Sequence, residues 1–403
     1  MPQFLRTATV ASALLALTLV PGSAAHAVEI TPADGAGVHV DALRWVDGRP
    51  QLETRTATDR AAAHRLAATM EADPAVSAAQ VRTSYALAPT GATPLTSRTL
   101  KATDPYLSYA YHLGSIHAYD AWPTTRGTGL TVAVLDSGVD ANQPDIAGRV
   151  IDGGNFAAGT DIGEHGTEVS TVIAGAYQNA YGAAGVAPDV KILAIRVCEP
   201  QGCASDAVVE GITAAVDQGA DVLNLSLGGE DYNSTTAAAV AYAIGKGVVV
   251  VASAGNSGDT GNPLEYPASY PGVISVSAST STGAPAPWAQ HNTLVDLSAP
   301  GDKIPVGKPL SSGRYVYASA SGTSFSAPQV SAAAALVRSV APRASVAQVE
   351  DVLRTTATPE SWDAGYGTGM LDVGAAVAAA KASVTASAPT ATVTIPRRTR
   401  TLR

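Results

Sequence analysis

From Asp104 onward the chain alternates short apolar runs with helical stretches, and that rhythm leaves few folds open to it. The runs 130–135, 190–197, 222–227, 248–253, 273–278 and 294–298 are largely Val, Leu, Ile and Ala without polar alternation, as strands covered on both faces should be. Between and after them, 206–218, 234–245, 324–340, 346–355 and 373–381 have the length and composition of helices. Strands separated by helices predict an α/β architecture: a doubly wound, mostly parallel sheet flanked by helices. In such sheets the working residues sit just past the carboxyl ends of the strands. Ahead of this region, a strand at 37–45, a helix at 58–71 and a strand at 76–87 predict a small αβ domain on a Pro/Thr/Ser-rich linker.

At 403 residues, 46% hydrophobic and 15% charged, the chain can bury a large core. Its net charge of -9 argues against nucleic acid and anionic membrane surfaces as partners, since both attract Lys/Arg-rich faces. The amino-terminal segment carries Arg6, an apolar run from Val10 to Val20, a Pro21-Gly22 break and Ala25-His26-Ala27. That is the pattern of a secretory signal peptide, residues 1–27, cleaved after Ala27. The run falls short of the roughly 20 residues a span needs, so a secreted, extracellular protein without a stable membrane anchor is expected. Cys198 and Cys203 flank a Pro/Gly turn, where an exported chain favours a disulfide; a metal site would want nearby His or a second Cys pair. Residues 385–403 are Ser/Thr/Ala/Pro-rich and end in Arg397, Arg398 and Arg400, which predicts a disordered tail.

Four chemically distinct residues stand at element ends. Asp136 follows the first main strand, His165 follows a polar turn, Asn256 follows the strand at 248–253, and Ser324 opens a helix behind Gly322. Each alone has a plain explanation: Asp136 as a turn or ribose-binding carboxylate, His165 as a helix-start residue, Asn256 as part of a turn. Together they supply what nucleophilic serine catalysis needs, namely a hydroxyl, a base, a carboxylate to hold the imidazole and a donor for the oxyanion. The order acid, base, nucleophile is one of three unrelated orders in which this triad occurs.

Asp136-Ser137-Gly138, His165-Gly166-Thr167, Leu225-Ser226-Leu227-Gly228-Gly229, Ala254-Gly255-Asn256 and Gly322-Thr323-Ser324-Phe325-Ser326-Ala327-Pro328 resemble, in that order, the motifs of the subtilase serine peptidases. The resemblance implies Asp136 as orienting acid, His165 as general base, Ser324 as nucleophile and the Asn256 side chain as oxyanion donor. Leu225, Ser226, Leu227 and Gly228 would form the strand edge that pairs with substrate backbone. It further implies a monomeric endopeptidase domain at 102–384 that hydrolyses protein or peptide substrates through an acyl-enzyme and needs no cofactor for its chemistry. The unit at 28–101 resembles an intramolecular propeptide that assists folding and blocks the cleft of a self-processing zymogen. Self-cleavage would fall between Leu87 and Asp104, with Arg98 and Lys101 as candidate positions.

Three positions carry expectations of their own. Where the family continues its His motif with a second His, this chain has Glu168, with Glu164 just before His165. Carboxylates there would favour the imidazolium and push the activity optimum to higher pH, unless Glu168 is a solvated helix-start acid. Glu265, just before Tyr266-Pro267, matches the floor of the family's primary specificity pocket, where a carboxylate would prefer Lys or Arg on the acyl side of the cut. Asp145 matches a position that sometimes ligates a structural calcium, although no self-sufficient calcium loop is present.

Rival readings fare worse. A paired-carboxylate peptidase would need a second strand end at Asp259-Thr260-Gly261, which follows a polar turn instead. An α/β-hydrolase would have a second glycine where Ser326 stands, and a dinucleotide site would place Gly127 and Gly129 after a strand rather than before one. A secreted binding protein with the same fold and no activity would leave Ser324 unreactive toward a fluorophosphonate.

Overall fold

A seven-stranded sheet, parallel throughout, organises the computed structural model, which describes residues 37–87, 91–96 and 104–387. Ahead of it, β1 (Val38–Val46), β2 (Arg49–Ala57) and β3 (Val76–Val81) form an antiparallel sheet in the order β2-β1-β3, covered by α1 (Arg60–Glu71). Asp59 caps α1 by accepting from Ala62 N at 2.7 Å, and the helix buries Ala63, Ala67 and Met70 as one stripe. β2 escapes the sequence reading because 51–56 is almost wholly polar; cross-strand pairing with β1, rather than an apolar face, makes it a strand. The strand expected at 76–87 is interrupted where Arg82 turns to the buried Asp41, Nε to Oδ2 2.9 Å; β4 (Ser84–Tyr85) then pairs elsewhere.

After β5 (Thr93–Pro94) come α2 (Tyr111–Ser115), α3 (Ala118–Ala121), β6 (Thr131–Asp136), β7 (Val150–Asn155), α4 (Glu164–Ala174) and β8 (Lys191–Arg196). The middle of the chain supplies β9 (Cys203–Ala204), α5 (Ser205–Asp217), β10 (Val222–Leu225), α6 (Ser234–Gly245), β11 (Val249–Ser253), β12 (Ile274–Ser279) and β13 (Leu297–Pro300). It closes with β14 (Ile304–Pro309), β15 (Tyr315–Ala320), α7 (Thr323–Val340), α8 (Val346–Thr355) and α9 (Val373–Ser387). The main sheet runs β13-β12-β11-β10-β6-β8-β7. Strands therefore depart in opposite directions from β6 and β10, and the gap between their carboxyl ends is the switch point where α/β sheets bind ligands.

Successive residues of each strand feed opposite layers. Val132, Val134, Val222, Val249 and Val251 pack with α4 and α7, whereas Ala133, Leu135, Leu223, Val250 and Ala252 pack with α5 and α6. Both faces being covered explains why these strands read as unbroken apolar runs.

Three expectations need correction. The last main strand begins at Leu297, because Leu294 is exposed in the preceding loop. Strand β7, the helices α2, α3 and α4, and the antiparallel pair β14–β15, to which β5 adds, were not anticipated. Residues 385–387 continue the Ala-rich α9 rather than starting a disordered tail, as the helix propensity of Ala favours. The signal-peptide expectation, Arg98, Lys101 and the remaining tail lie outside the described residues. Among the described residues no helix is long and apolar enough to cross a membrane.

Candidate active site

β6 delivers Asp136 to the carboxyl edge of the sheet, and the first turn of α4 brings His165 to it. His165 Nδ1 lies 2.9 and 2.8 Å from the two carboxylate oxygens, and Ser137 N donates to Asp136 Oδ1 at 2.6 Å. The approach depends on Gly166, where a β-carbon would run into Gly138 O and come within 3.0 Å of Asp136 Cβ. Burial disfavours the imidazolium, but Asp136, by charge and hydrogen bond, and Glu168, by charge, outweigh it and hold His165 above its ordinary range. With Nδ1–H committed to Asp136, Nε2 is the basic nitrogen, and it has no hydrogen-bond partner among the described residues.

Ser324 stands on α7 beside Phe325, whose ring packs 5.8 Å from the His165 imidazole; no hydrogen bond joins Ser324 to His165 among the described residues. That helix starts behind Gly322, whose φ of 152° and ψ of 154° are common only in glycine. Thr323 donates to Asn256 Oδ1 from both N (2.9 Å) and Oγ1 (3.1 Å), which leaves Nδ2 as the donating end of the amide. Ser324 N–H belongs to the first turn, where no intrahelical acceptor exists. Its Oγ is 3.4 Å from Ser226 O. Pro328 has no N–H to offer Ser324 O one turn earlier, and Ser226 Oγ takes that place at 3.0 Å. Asn224 Nδ2 donates to Ser226 Oγ at 2.9 Å, and Ser331 Oγ to Asn224 Oδ1 at 2.9 Å. This fully buried polar ladder fixes α7 to β10, and the sequence reading missed it. Its signal was a lone polar residue in an apolar strand and another in an Ala-rich helix.

The expected substrate edge divides in two. Leu225 pairs with Ala252 inside the sheet, so its backbone is already committed, while Ser226, Leu227 and Gly228 run beyond it. Gly228 pairs with Ala86 of the amino-terminal unit, and Gly229 with Tyr266. Glu265 abuts this segment: a β-carbon on Gly228 would lie 2.5 Å from its Oε2, and its Oε1 accepts from Gln290 Nε2 at 2.6 Å. Burial pushes the Glu265 carboxyl up to about 7 against the pull of the Gln290 hydrogen bond, with Glu230 adding to the rise.

Glu168 is not solvated. It is fully buried one turn behind His165, with Lys308 Nζ of β14 3.5 Å from Oε1; Lys308 also pairs with Glu164. Burial pushes its carboxyl up to about 7 although His165 and Lys308 pull it down. Asp145 sits among donors: Asn179 Nδ2 at 2.7 Å on Oδ1, and Ala183 N at 3.2 Å and the Tyr317 hydroxyl on Oδ2. With hydrogens aimed at both oxygens, this arrangement does not fit a calcium ion, and among the described residues no group of three or more His, Cys, Asp or Glu could hold a metal. Cys198 and Cys203 form a disulfide.

Comparison with known proteins points to one family. The model of the subtilase family matches residues 127–369. Thermitase of Thermoactinomyces vulgaris is 40% identical over 242 residues, 59% of this chain and 85% of thermitase. Subtilisin DY of Bacillus licheniformis is 38% identical over 258 residues, 62% of this chain and 92% of its own. The crystal structure of fervidolysin from Fervidobacterium pennivorans, a keratinolytic enzyme related to subtilisin, superposes with a TM-score of 0.68 at 26% identity, covering 86% of this chain and 62% of fervidolysin. Since the family match takes in well over half of the sequence, including all the strand ends described above, the chain belongs to the subtilase family and is a serine-type endopeptidase.

Proposed function

We propose that Asp136, His165 and Ser324 carry the peptide hydrolysis and that Asn256 stabilises its oxyanion. His165 Nε2 takes the Ser324 proton as Oγ attacks the substrate carbonyl carbon, and Asn256 Nδ2 and Ser324 N–H meet the negative charge on the carbonyl oxygen. Collapse breaks the C–N bond while His165 returns the proton to the leaving amine. Water, deprotonated by His165, then hydrolyses the acyl-enzyme and frees Ser324. The observation that carries this reading is the pair of short contacts from His165 Nδ1 to Asp136, together with a serine on a glycine-led helix start whose next residue, Phe325, packs its ring 5.8 Å from the imidazole. No step needs a cofactor.

The finer reading is of a secreted zymogen whose amino-terminal unit occupies its own substrate slot, supported by the Ala86–Gly228 pairing. Glu265 beside Gly228 supports a preference for Lys or Arg on the acyl side of the cut. A fluorophosphonate should label the wild-type enzyme and spare Ser324→Ala, and Ser324→Ala should keep the amino-terminal unit attached. Equal labelling of both proteins would reject the assignment of Ser324, and wild-type-like trimming of Ser324→Ala would reject self-processing.

A further inference from the structure

The segment Ser84–Ala86 is held from two sides. Ala86 exchanges both backbone hydrogen bonds with Gly228 on one side, at 2.7 and 3.1 Å. On the other, β4 runs antiparallel to β9, with Ser84 opposite Ala204 and Tyr85 opposite Cys203. Gly202 closes up against the same segment: a β-carbon there would lie 2.6 Å from Ser84 Oγ and 2.7 Å from Tyr85 O. The second wall of the slot is therefore a two-residue strand ending a hairpin with the exposed tip Pro200-Gln201.

On its carboxyl side the strand runs directly into α5, and Cys203 is buried in the layer beneath that helix; on its amino side the hairpin is held by two kinds of link. Glu199 and Gly202 exchange backbone hydrogen bonds at 2.9 and 3.0 Å, and the Cys198–Cys203 disulfide closes the hairpin beneath them. The root of the hairpin is tied to the catalytic strand, since Val197 N and Cys198 N both donate to Asp136 O, at 2.9 and 3.1 Å. The disulfide thus joins a backbone fixed on Asp136 to the edge that pairs with a bound peptide.

We propose that the Cys198–Cys203 disulfide is a positioning element for extended substrates: it holds the Cys203–Ala204 edge at pairing distance from the peptide residues farthest from the cut. The proposal rests on reading Ser226–Gly228 as the substrate edge. The register then follows from two contacts. Ser226 O lies beside Ser324 Oγ, and Gly228, two residues on, pairs with Ala86. In a peptide bound the same way, the residue two before the acylated one lies opposite Gly228, and those three and four before it lie opposite Cys203 and Ala204. A strand edge that must be ordered on binding gives up part of the affinity that a pre-formed edge retains.

The test is a ladder of chromogenic peptides with one to five residues on the acyl side, cleaved by the active enzyme recovered from expression of the full chain and by its Cys198→Ser/Cys203→Ser variant. In the wild type, KM should fall as the fourth and fifth residues are added. The variant should lose about tenfold of that gain through KM, with kcat and the one-residue substrate much less affected. Equal loss at every length, or an unchanged ladder, overturns the positioning role. A wild-type ladder with no gain from the fourth and fifth residues overturns the substrate-edge reading itself. Should the variant not be recovered, wild-type enzyme reduced with dithiothreitol, which takes up the disulfide as its thiols protonate the two cysteines, and then capped with iodoacetamide gives the same comparison.

Discussion

Ala86 N donates to Gly228 O at 2.7 Å, and Gly228 N donates back to Ala86 O at 3.1 Å. A narrow antiparallel pair of this kind reads no side chain, so any peptide with a free amide at that position can make it. Methylating that amide, two residues before the acylated one, removes one donor and adds bulk at the edge. Loss of one hydrogen bond, about 1 kcal/mol, should raise KM roughly fivefold with little change in kcat. Kinetics on peptides methylated at successive positions would locate the effect; a maximum elsewhere would contradict the register.

Asn256 accepts from Thr323 at Oδ1, which leaves Nδ2 as the donor for the proposed oxyanion. Asn256→Ala is expected to lower kcat on the order of 100- to 1000-fold with KM little changed, a range carried over from the equivalent donor in a subtilisin. The lost Thr323 partner should also cost about 1 kcal/mol of stability. Thermal unfolding beside single-turnover kinetics separates the two losses, and a kcat within tenfold of wild type would exclude the oxyanion role.

When ionised, Glu168 gives His165 a second negative neighbour behind Asp136. As the proposed general base His165 works only when neutral, so its raised pKa moves the acid limb of kcat/KM to higher pH, and Glu168→Gln should move that limb back toward lower pH. Stability follows the same carboxyl. A folded-state value raised to about 7 gives a contribution that is complete below the unfolded value and lost as pH climbs through 7. The variant should therefore gain on the wild type in Tm between pH 5 and 8. Unmoved pH–rate and pH–Tm profiles would mean that Lys308 neutralises Glu168 throughout.

Six strands of the main sheet, the helices from α5 onward and the catalytic candidates were legible because each is a local pattern: Val132 to Leu135 is an apolar run, and His165, Asn256 and Ser324 sit in short glycine-bearing motifs; β7, half polar, and α4 were not placed. What escaped depends on partners distant in sequence. β2 owes its strand to β1, Glu168 owes its burial to Lys308, and Leu225 is committed by Ala252, none of which a local pattern reveals. The Asn224–Ser331 bond spans 107 residues and surfaces in the sequence only as two misplaced polar side chains.

That bond is itself a stability prediction. Asn224→Leu keeps approximate volume but leaves the buried Ser331 hydroxyl without its acceptor and Ser226 Oγ without a donor. An unsatisfied buried group costs about 1–3 kcal/mol, or roughly 2 to 8 °C in Tm for a domain of this size. Adding Ser331→Ala should return part of the loss, because both partners are then gone. Strictly additive losses in the double variant would argue against the pairing.

Glu265 is expected to make side-chain preference depend on pH. Its carboxyl, buried against Gly228 and bonded to Gln290, is held neutral up to about 7, so below that point it presents no charge to a basic side chain. Above it the carboxylate forms and can accept from Lys or Arg, a charge-assisted bond worth about 1.5–3 kcal/mol. The ratio of kcat/KM for Arg over Leu on the acyl side should accordingly rise about tenfold between pH 6 and 8. Because His165 acts on both substrates, its own titration cancels in the ratio. Glu265→Gln should flatten the ratio without abolishing activity. A ratio that climbs just as steeply in Glu265→Gln would place the basic recognition on another carboxylate, with Glu230 next in line because its charge already bears on Glu265.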